Sequence, residues 1–164
     1  MRMEPVSRRR FVGMAVAGLA AMAGVPSLAA CGPKKIAVLE GTTWFHVGND
    51  TSVSPNDYKV HVLAFDEGST FRFSQSNSID MSTVDLDHFD WTTCRTTPYW
   101  GGEWTREGDA VDLNGLDKAT AKLQVVDGEE VLTVKGFASS QDGHYYSNLT
   151  RAGEVAVKEY RDKN

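Results

Sequence analysis

Asp80, Asp85, Asp87, His88 and Asp90 form the densest run of metal-ligating side chains in this sequence. Crowded carboxylates can supply the several oxygen ligands that a hard cation such as calcium takes. The run Asp85-Leu86-Asp87-His88-Phe89-Asp90 lacks the glycine that a calcium loop needs for its sharp turn. Asp85, Asp87, His88 and Asp90 are therefore weak metal candidates. Read by alternation, they are the solvated side of an edge strand or loop, and a phase change near His88 suggests a bulge. His46, His61, His88 and His144 raise the question of zinc or copper, but none stands in H-x3-H or H-E-x-x-H spacing. There is no G-x-S-x-G elbow and no glycine-rich phosphate loop. Nothing in the spacing of the carboxylates picks out a general acid and base, so no enzyme is expected and no cofactor is assigned.

The aromatic residues are more suggestive. Trp91, Tyr99, Trp100, Trp104, Tyr145 and Tyr146 are many for a small domain. Thr96 to Gly102 reads as a loop leading into a strand, which puts Tyr99 and Trp100 at a rim. Tyr99, Trp100 and Trp104 are then the candidate lining of a pocket for a small apolar ligand, a sugar or a protein partner. The alternative is a core wall built of large side chains.

Strands must position these groups. Thr70-Phe71-Arg72-Phe73-Ser74, Ala110-Val111-Asp112-Leu113 and Lys122-Leu123-Gln124-Val125 alternate at period two, and Val131 to Lys135 can place Leu132 and Val134 inward. Tyr58 to Phe65 is apolar at most positions and reads as a more fully buried strand. His144 to Arg151 continues the alternation. Asp66-Glu67-Gly68, Glu107-Gly108-Asp109 and Asp127-Gly128-Glu129 mark tight turns, each with a glycine available for positive φ. Short strands at this spacing predict an all-β antiparallel barrel or sandwich. Residues 154–164 read as a polar tail, with Glu154 and Lys158 spaced for a helical pair.

The first 31 residues give an address. Ser7-Arg8-Arg9-Arg10-Phe11-Val12 resembles the twin-arginine export pattern, with Arg8 and Arg9 as the pair. An uncharged run from Phe11 to Ala30 follows, built of alanine, glycine and methionine, and only mildly apolar. It ends in Leu28-Ala29-Ala30-Cys31, which resembles the lipobox of bacterial lipoproteins. The resemblance implies a signal over 1–30 and a lipid on the Cys31 thiol. It also implies anchorage on the extracytoplasmic face of a membrane in the bacterial cell envelope, through a tether over 31–38. The remaining 134 residues carry 13 basic and 21 acidic side chains, a net −8. That balance excludes a nucleic-acid partner, which needs basic patches against phosphate. With Cys31 acylated, Cys94 has no disulfide partner and reads as a small buried apolar residue.

Two further patches resemble small lipocalin-like proteins of bacterial envelopes. Leu39-Glu40-Gly41-Thr42-Thr43-Trp44 is similar to the L-x-G-x-W opening of the first strand, with one extra residue between glycine and tryptophan. Gly102-Glu103-Trp104, continuing through Gly108-Asp109-Ala110-Val111-Asp112-Leu113, is similar to a hairpin of the same domains. The resemblance implies a small antiparallel up-and-down barrel over 39–153. It also implies that Trp44 closes one end of the barrel against a basic residue from the last strand, for which Arg151 is the candidate. The plain alternative has Trp44 as core and Arg151 as solvated. The function so implied is binding, either of a small apolar ligand in the barrel or of another envelope component. The alternative is a structural or interaction lipoprotein whose barrel is filled by side chains.

Overall fold

The structure is a computed structural model that describes residues 38–114, 119–138 and 140–164. The expected signal over 1–30, with Arg8 and Arg9, and the lipid-attachment Cys31 lie outside the described residues. Within them, no helix is long and apolar enough to cross a membrane.

Among the described residues nine strands precede one helix: β1 (Thr43–Asn49), β2 (Asp57–Asp66), β3 (Thr70–Ser76), the short β4 (Ile79–Asp80), β5 (Thr96–Glu107), β6 (Ala110–Asn114), β7 (Ala119–Val126), β8 (Glu129–Lys135), β9 (Gly143–Tyr145) and α1 (Leu149–Lys163). Eight of them run antiparallel in the order β1-β2-β3-β5-β6-β7-β8-β9, with β4 beside β2. The isolated bridge Phe45↔Tyr146 joins the first strand to the end of the last. The meander thereby comes back on itself as a nearly closed barrel, as the alternation and turn signals led one to expect.

Alternation decides what fills it. Trp44, Leu63, Phe65, Phe71, Phe73, Val111, Leu113, Leu123, Leu132, Val134 and Tyr145 occupy the inward phase of their strands and form one buried cluster. The opposite phase of β1 and β2 is apolar too, which explains why Tyr58 to Phe65 reads as buried throughout. Val47, Tyr58 and Val60 pack outward, with Trp91, Tyr146, Ala152, Ala156 and Val157, into a second cluster beneath α1.

The tight turns behave as their glycines require. Gly68, Gly108 and Gly128 have φ of 76, 62 and 79°. The β2–β3, β5–β6 and β7–β8 turns lie at the end where the chain enters at Leu39, here called the base; the opposite ends of these strands form the upper end.

Four local expectations are corrected. Thr96 to Gly102 belongs to β5 rather than to a loop, because Pro98 falls where the β3–β5 register shifts, between Phe73 and Ser74, and the sheet absorbs it there. Residues 81–95 are turns with a short 3-10 segment at Trp91–Thr93, not a bulged strand. The strand predicted over His144 to Arg151 stops at Tyr145. The chain then starts α1 at Leu149, ahead of the expected tail, because the Asn148 side chain accepts from the Arg151 N–H and caps the helix. The C-terminal segment is a docked helix with Ala152, Gly153, Ala156 and Val157 buried.

Gly153 sets how closely α1 approaches. A Cβ there would lie 2.2 Å from Trp91 Nε1. Alanine favours a helix over glycine by about 1 kcal/mol, but this clash outweighs that gain. Gly153→Ala is expected to lower stability by about 2 kcal/mol in urea unfolding. A stabilised variant would show that the helix is not seated on Trp91.

Candidate functional site at the upper end of the barrel

His46 on β1 and His61 on β2 are directly opposed across the sheet. Both fall on the inward phase, His46 with Trp44 and His61 with Leu63 and Phe65, so the sequence turns two imidazoles into the barrel. Their rings stack at 5.8 Å. Phe73 of β3 stacks on the far side of His61 at 5.8 Å, and Tyr145 of β9 on the far side of His46 at 5.1 Å. Four roughly parallel rings thus run across β3, β2, β1 and β9.

The two histidines differ in their bonding. His46 is half-buried, and its Nδ1–H donates to the His144 carbonyl at 3.1 Å, which leaves Nε2 as the acceptor nitrogen of the neutral ring. His61 is fully buried, and neither ring nitrogen has a hydrogen-bond partner. The Ser140 carbonyl favours its protonated form slightly without making a hydrogen bond to it. Burial pushes His46 down to about 4, against the weaker pull of the His144 carbonyl. Burial, then the neighbouring His46 and Lys59, pushes His61 down to about 3. Both imidazoles are neutral at neutral pH. Tyr145, buried between them and β8, donates its hydroxyl to the Gln141 carbonyl at 2.8 Å, and burial raises its pKa well above that of an ordinary tyrosine.

Backbone shape seats His46. Its ring lies against Gly48 and Gly143: a Cβ on Gly143 would be 2.7 Å from the ring Cε1, and one on Gly48 2.8 Å from Nε2. Above the Phe45↔Tyr146 bridge β1 and β9 part, and a cleft of about 360 Å³ opens there. His46, Asn49, Ser140, Asp142 and His144 give it polar walls, and Val47, Tyr146, Ala152 and Val155 apolar ones. That volume is within the range of small-molecule sites.

Of the residues expected from sequence to line a pocket, Tyr99 and Trp100 stand in the upper half of β5 but do not line this cleft. Tyr99 is 58% exposed and edge-on to Phe73 at 6.3 Å, while Trp100 packs on Phe71, Phe73 and Phe137. Trp104 does not join them. It lies further along β5 toward the base, edge-on to Phe65 at 5.4 Å, with its indole N–H donating to the Thr70 carbonyl.

Nor does Arg151 meet Trp44. Trp44 points into the barrel and donates to the Thr42 hydroxyl, whereas Arg151 rises from α1 on the outside. There it lies 5.8 Å from the Tyr146 ring and pairs with Glu129 and Glu154. The two are on opposite faces of the sheet, so the basic partner of the lipocalin pattern is not supplied by this arginine.

The acidic run is occupied in local structure. Asp85 accepts from His88 and from the Asp87 N–H, Asp87 pairs with Arg161 of α1, and Asp90 caps the 3-10 segment through the Thr92 N–H. Among the described residues, no group of three or more His, Cys, Asp or Glu side chains is placed to hold a metal ion. Cys94 is half-buried and its thiol is pushed up by burial, which keeps it protonated.

No protein family, curated protein or solved structure matches the chain.

Proposed function

We propose that this protein is a lipid-anchored binding protein of the bacterial cell envelope. Its barrel takes a small molecule at the upper end rather than in its depths. The observation that carries the reading is the inward-facing histidine pair, with His61 lacking any hydrogen-bond partner, beside the cleft that His46 helps to line. Buried polar groups are nearly always bonded, and those that are not call for an explanation. His61 does not line the cleft, so a ligand held there reaches the pair through His46.

The lipobox resemblance at Cys31 supports the anchor. The tether over 31–38 leads to Leu39 at the base, and eight residues extend at most about 27 Å. The lipid would hold the base toward the membrane and leave the upper end facing away. Attachment would rest on the acyl chains, two or three of which hold stably, since a net −8 draws no electrostatic attraction from anionic lipid.

A second reading, an interaction lipoprotein with a filled barrel, draws on the aromatic packing of the interior around Phe65, Phe71, Phe73 and Trp44. That packing argues against a large apolar ligand deep inside but leaves the upper end available. The test is the mass of the protein purified from its own membranes. A covalent diacylglycerol on Cys31 and a non-covalent small molecule are expected. A bare polypeptide mass beginning before Cys31 would contradict the anchor, and an acylated protein without a companion would favour the filled-barrel reading.

A further inference from the structure

The seam between β1 and β9 is closed at one point and open above it. Phe45 and Tyr146 exchange both backbone bonds there, at 2.7 and 2.8 Å. Their N–H and C=O groups face each other across the seam, and alternation turns those of Val47, Asn49 and His144 the same way. The other phase of β1 faces β2, as the Asp50 N–H does when it donates to the Asp57 carbonyl. Val47 and His144 would be the next exchanging pair, but no bridge joins them. The His144 carbonyl accepts from the His46 ring instead. Among the described residues, the N–H and C=O of Val47 and of Asn49, and the N–H of His144, have no backbone partner. All three residues line the cleft.

We propose that this cleft takes a short extended peptide, whose main chain adds to the upper edge of β1 as a further strand. This rests on the small-molecule reading above and names the ligand class for that cleft. An unpaired strand edge is a template for another backbone, and a peptide carries the matching row of donors and acceptors. Val47 to Asn49 spans two strand steps, about 7 Å, so about three peptide residues pair along it. Side chains opposite each other across a ladder share a face. Val47 packs outward, so the peptide residue opposite it projects toward Ala152 and Val155 of α1 and is apolar. Its neighbours project inward and are small, because a Cβ even on Gly48 would meet the Ser140 carbonyl and the His46 ring. Glu159 and Lys163 stand on the rim, one of each sign and neither in an ion pair among the described residues. They suit the ammonium and carboxylate of free peptide ends.

The test is an NMR titration of the full-length protein, purified from its own host in mild detergent. The probes are the free tripeptide Ala-Val-Ala and the same tripeptide N-methylated at its valine. Ala-Val-Ala is expected to shift the amide signals of Val47, Asn49 and His144. Methylation removes the N–H that meets the Val47 carbonyl and should weaken binding about tenfold, the size of one hydrogen bond. Val155→Arg, which fills the cleft from α1, should abolish the shifts; its melting curve reports whether it folds. If it does not fold, the comparison of the two tripeptides decides alone. Equal binding of both tripeptides, no shift at millimolar Ala-Val-Ala, or shifts that survive in a folded Val155→Arg overturn the proposal. So does a dimer that pairs β1 with a second copy and shuts the tripeptide out. If Ala-Val-Ala fails while His46→Leu still loses a companion in native mass spectrometry, the peptide class falls and the small-molecule reading stands.

Discussion

Lowering the pH from about 7.5 to about 5 is expected to remove about 4 kcal/mol of folding stability, roughly 2 kcal/mol for each of His46 and His61. The sign follows from burial. In the unfolded chain both imidazoles titrate near 6.5, whereas in the fold they titrate near 4 and 3. Below about pH 6.5 the unfolded chain therefore binds protons that the native state refuses, and acid favours unfolding. The loss starts as pH falls through the unfolded value and continues until the folded values are reached.

The carboxylates do not blur this window. Asp50, held down by Lys59 and Ser52, contributes stability that is present above its unfolded value of 3.8 and is lost only below it. Urea midpoints at the two pH values measure the effect. His61→Leu should remove about half of it, and at neutral pH this variant should be no less stable than the native chain, because it deletes two unsatisfied buried atoms. For a domain of this size, whose total stability is about 5–15 kcal/mol, such a loss is large. A flat profile between pH 7.5 and 5 would mean that His61 and His46 are not buried as neutral rings.

Gly48→Ala should be the most damaging glycine substitution in the barrel. Its Cβ would lie 1.9 Å from the Ser140 carbonyl oxygen and 2.8 Å from His46 Nε2, and the nearer of these is backbone, so strand or crossing segment must move. A loss of about 3 kcal/mol and a fall of about 12 °C in Tm are expected. Gly68→Ala is the control. It meets no atom within 4 Å and is penalised only by its φ of 76°, a cost of about 1 kcal/mol. If the two variants melt together, Gly48 is not where the upper end is sealed against β1.

Much of this fold is legible in the residues. Thr70 to Ser74 alternates without interruption, and Gly68, Gly108 and Gly128 mark three hairpins that all turn at the base. The start of β5 is not legible, because Pro98, Gly101 and Gly102 are turn residues anywhere except at a register shift with a close cross-strand neighbour; a Cβ on Gly101 would meet the Phe71 carbonyl at 2.5 Å. The start of α1 was signalled by Asn148, a capping residue three before Arg151, but the alternation of Tyr145, Tyr146 and Leu149 obscured it.

The site is harder to read. His46 and His61 share no local spacing, and only register brings them face to face. A signal was available all the same: each falls on the inward phase of its strand, where a titratable side chain is out of place. Tyr99 and Trp100 lie within β5 rather than in the rim loop expected, Tyr99 exposed and Trp100 packed on Phe71, Phe73 and Phe137. Phe137 was not legible, since nothing in its own segment tells that it packs on a strand far away in sequence.

The proposed small-molecule site lies at the upper end, in the cleft that His46 helps to line. Native mass spectrometry of the protein purified from its own host, compared with His46→Leu prepared in the same way, is the direct test. A non-covalent companion is expected on the native chain and lost or much reduced in the variant, with the proposed covalent lipid on Cys31 unchanged in both. A companion retained equally by His46→Leu, or none on the native chain, would contradict it.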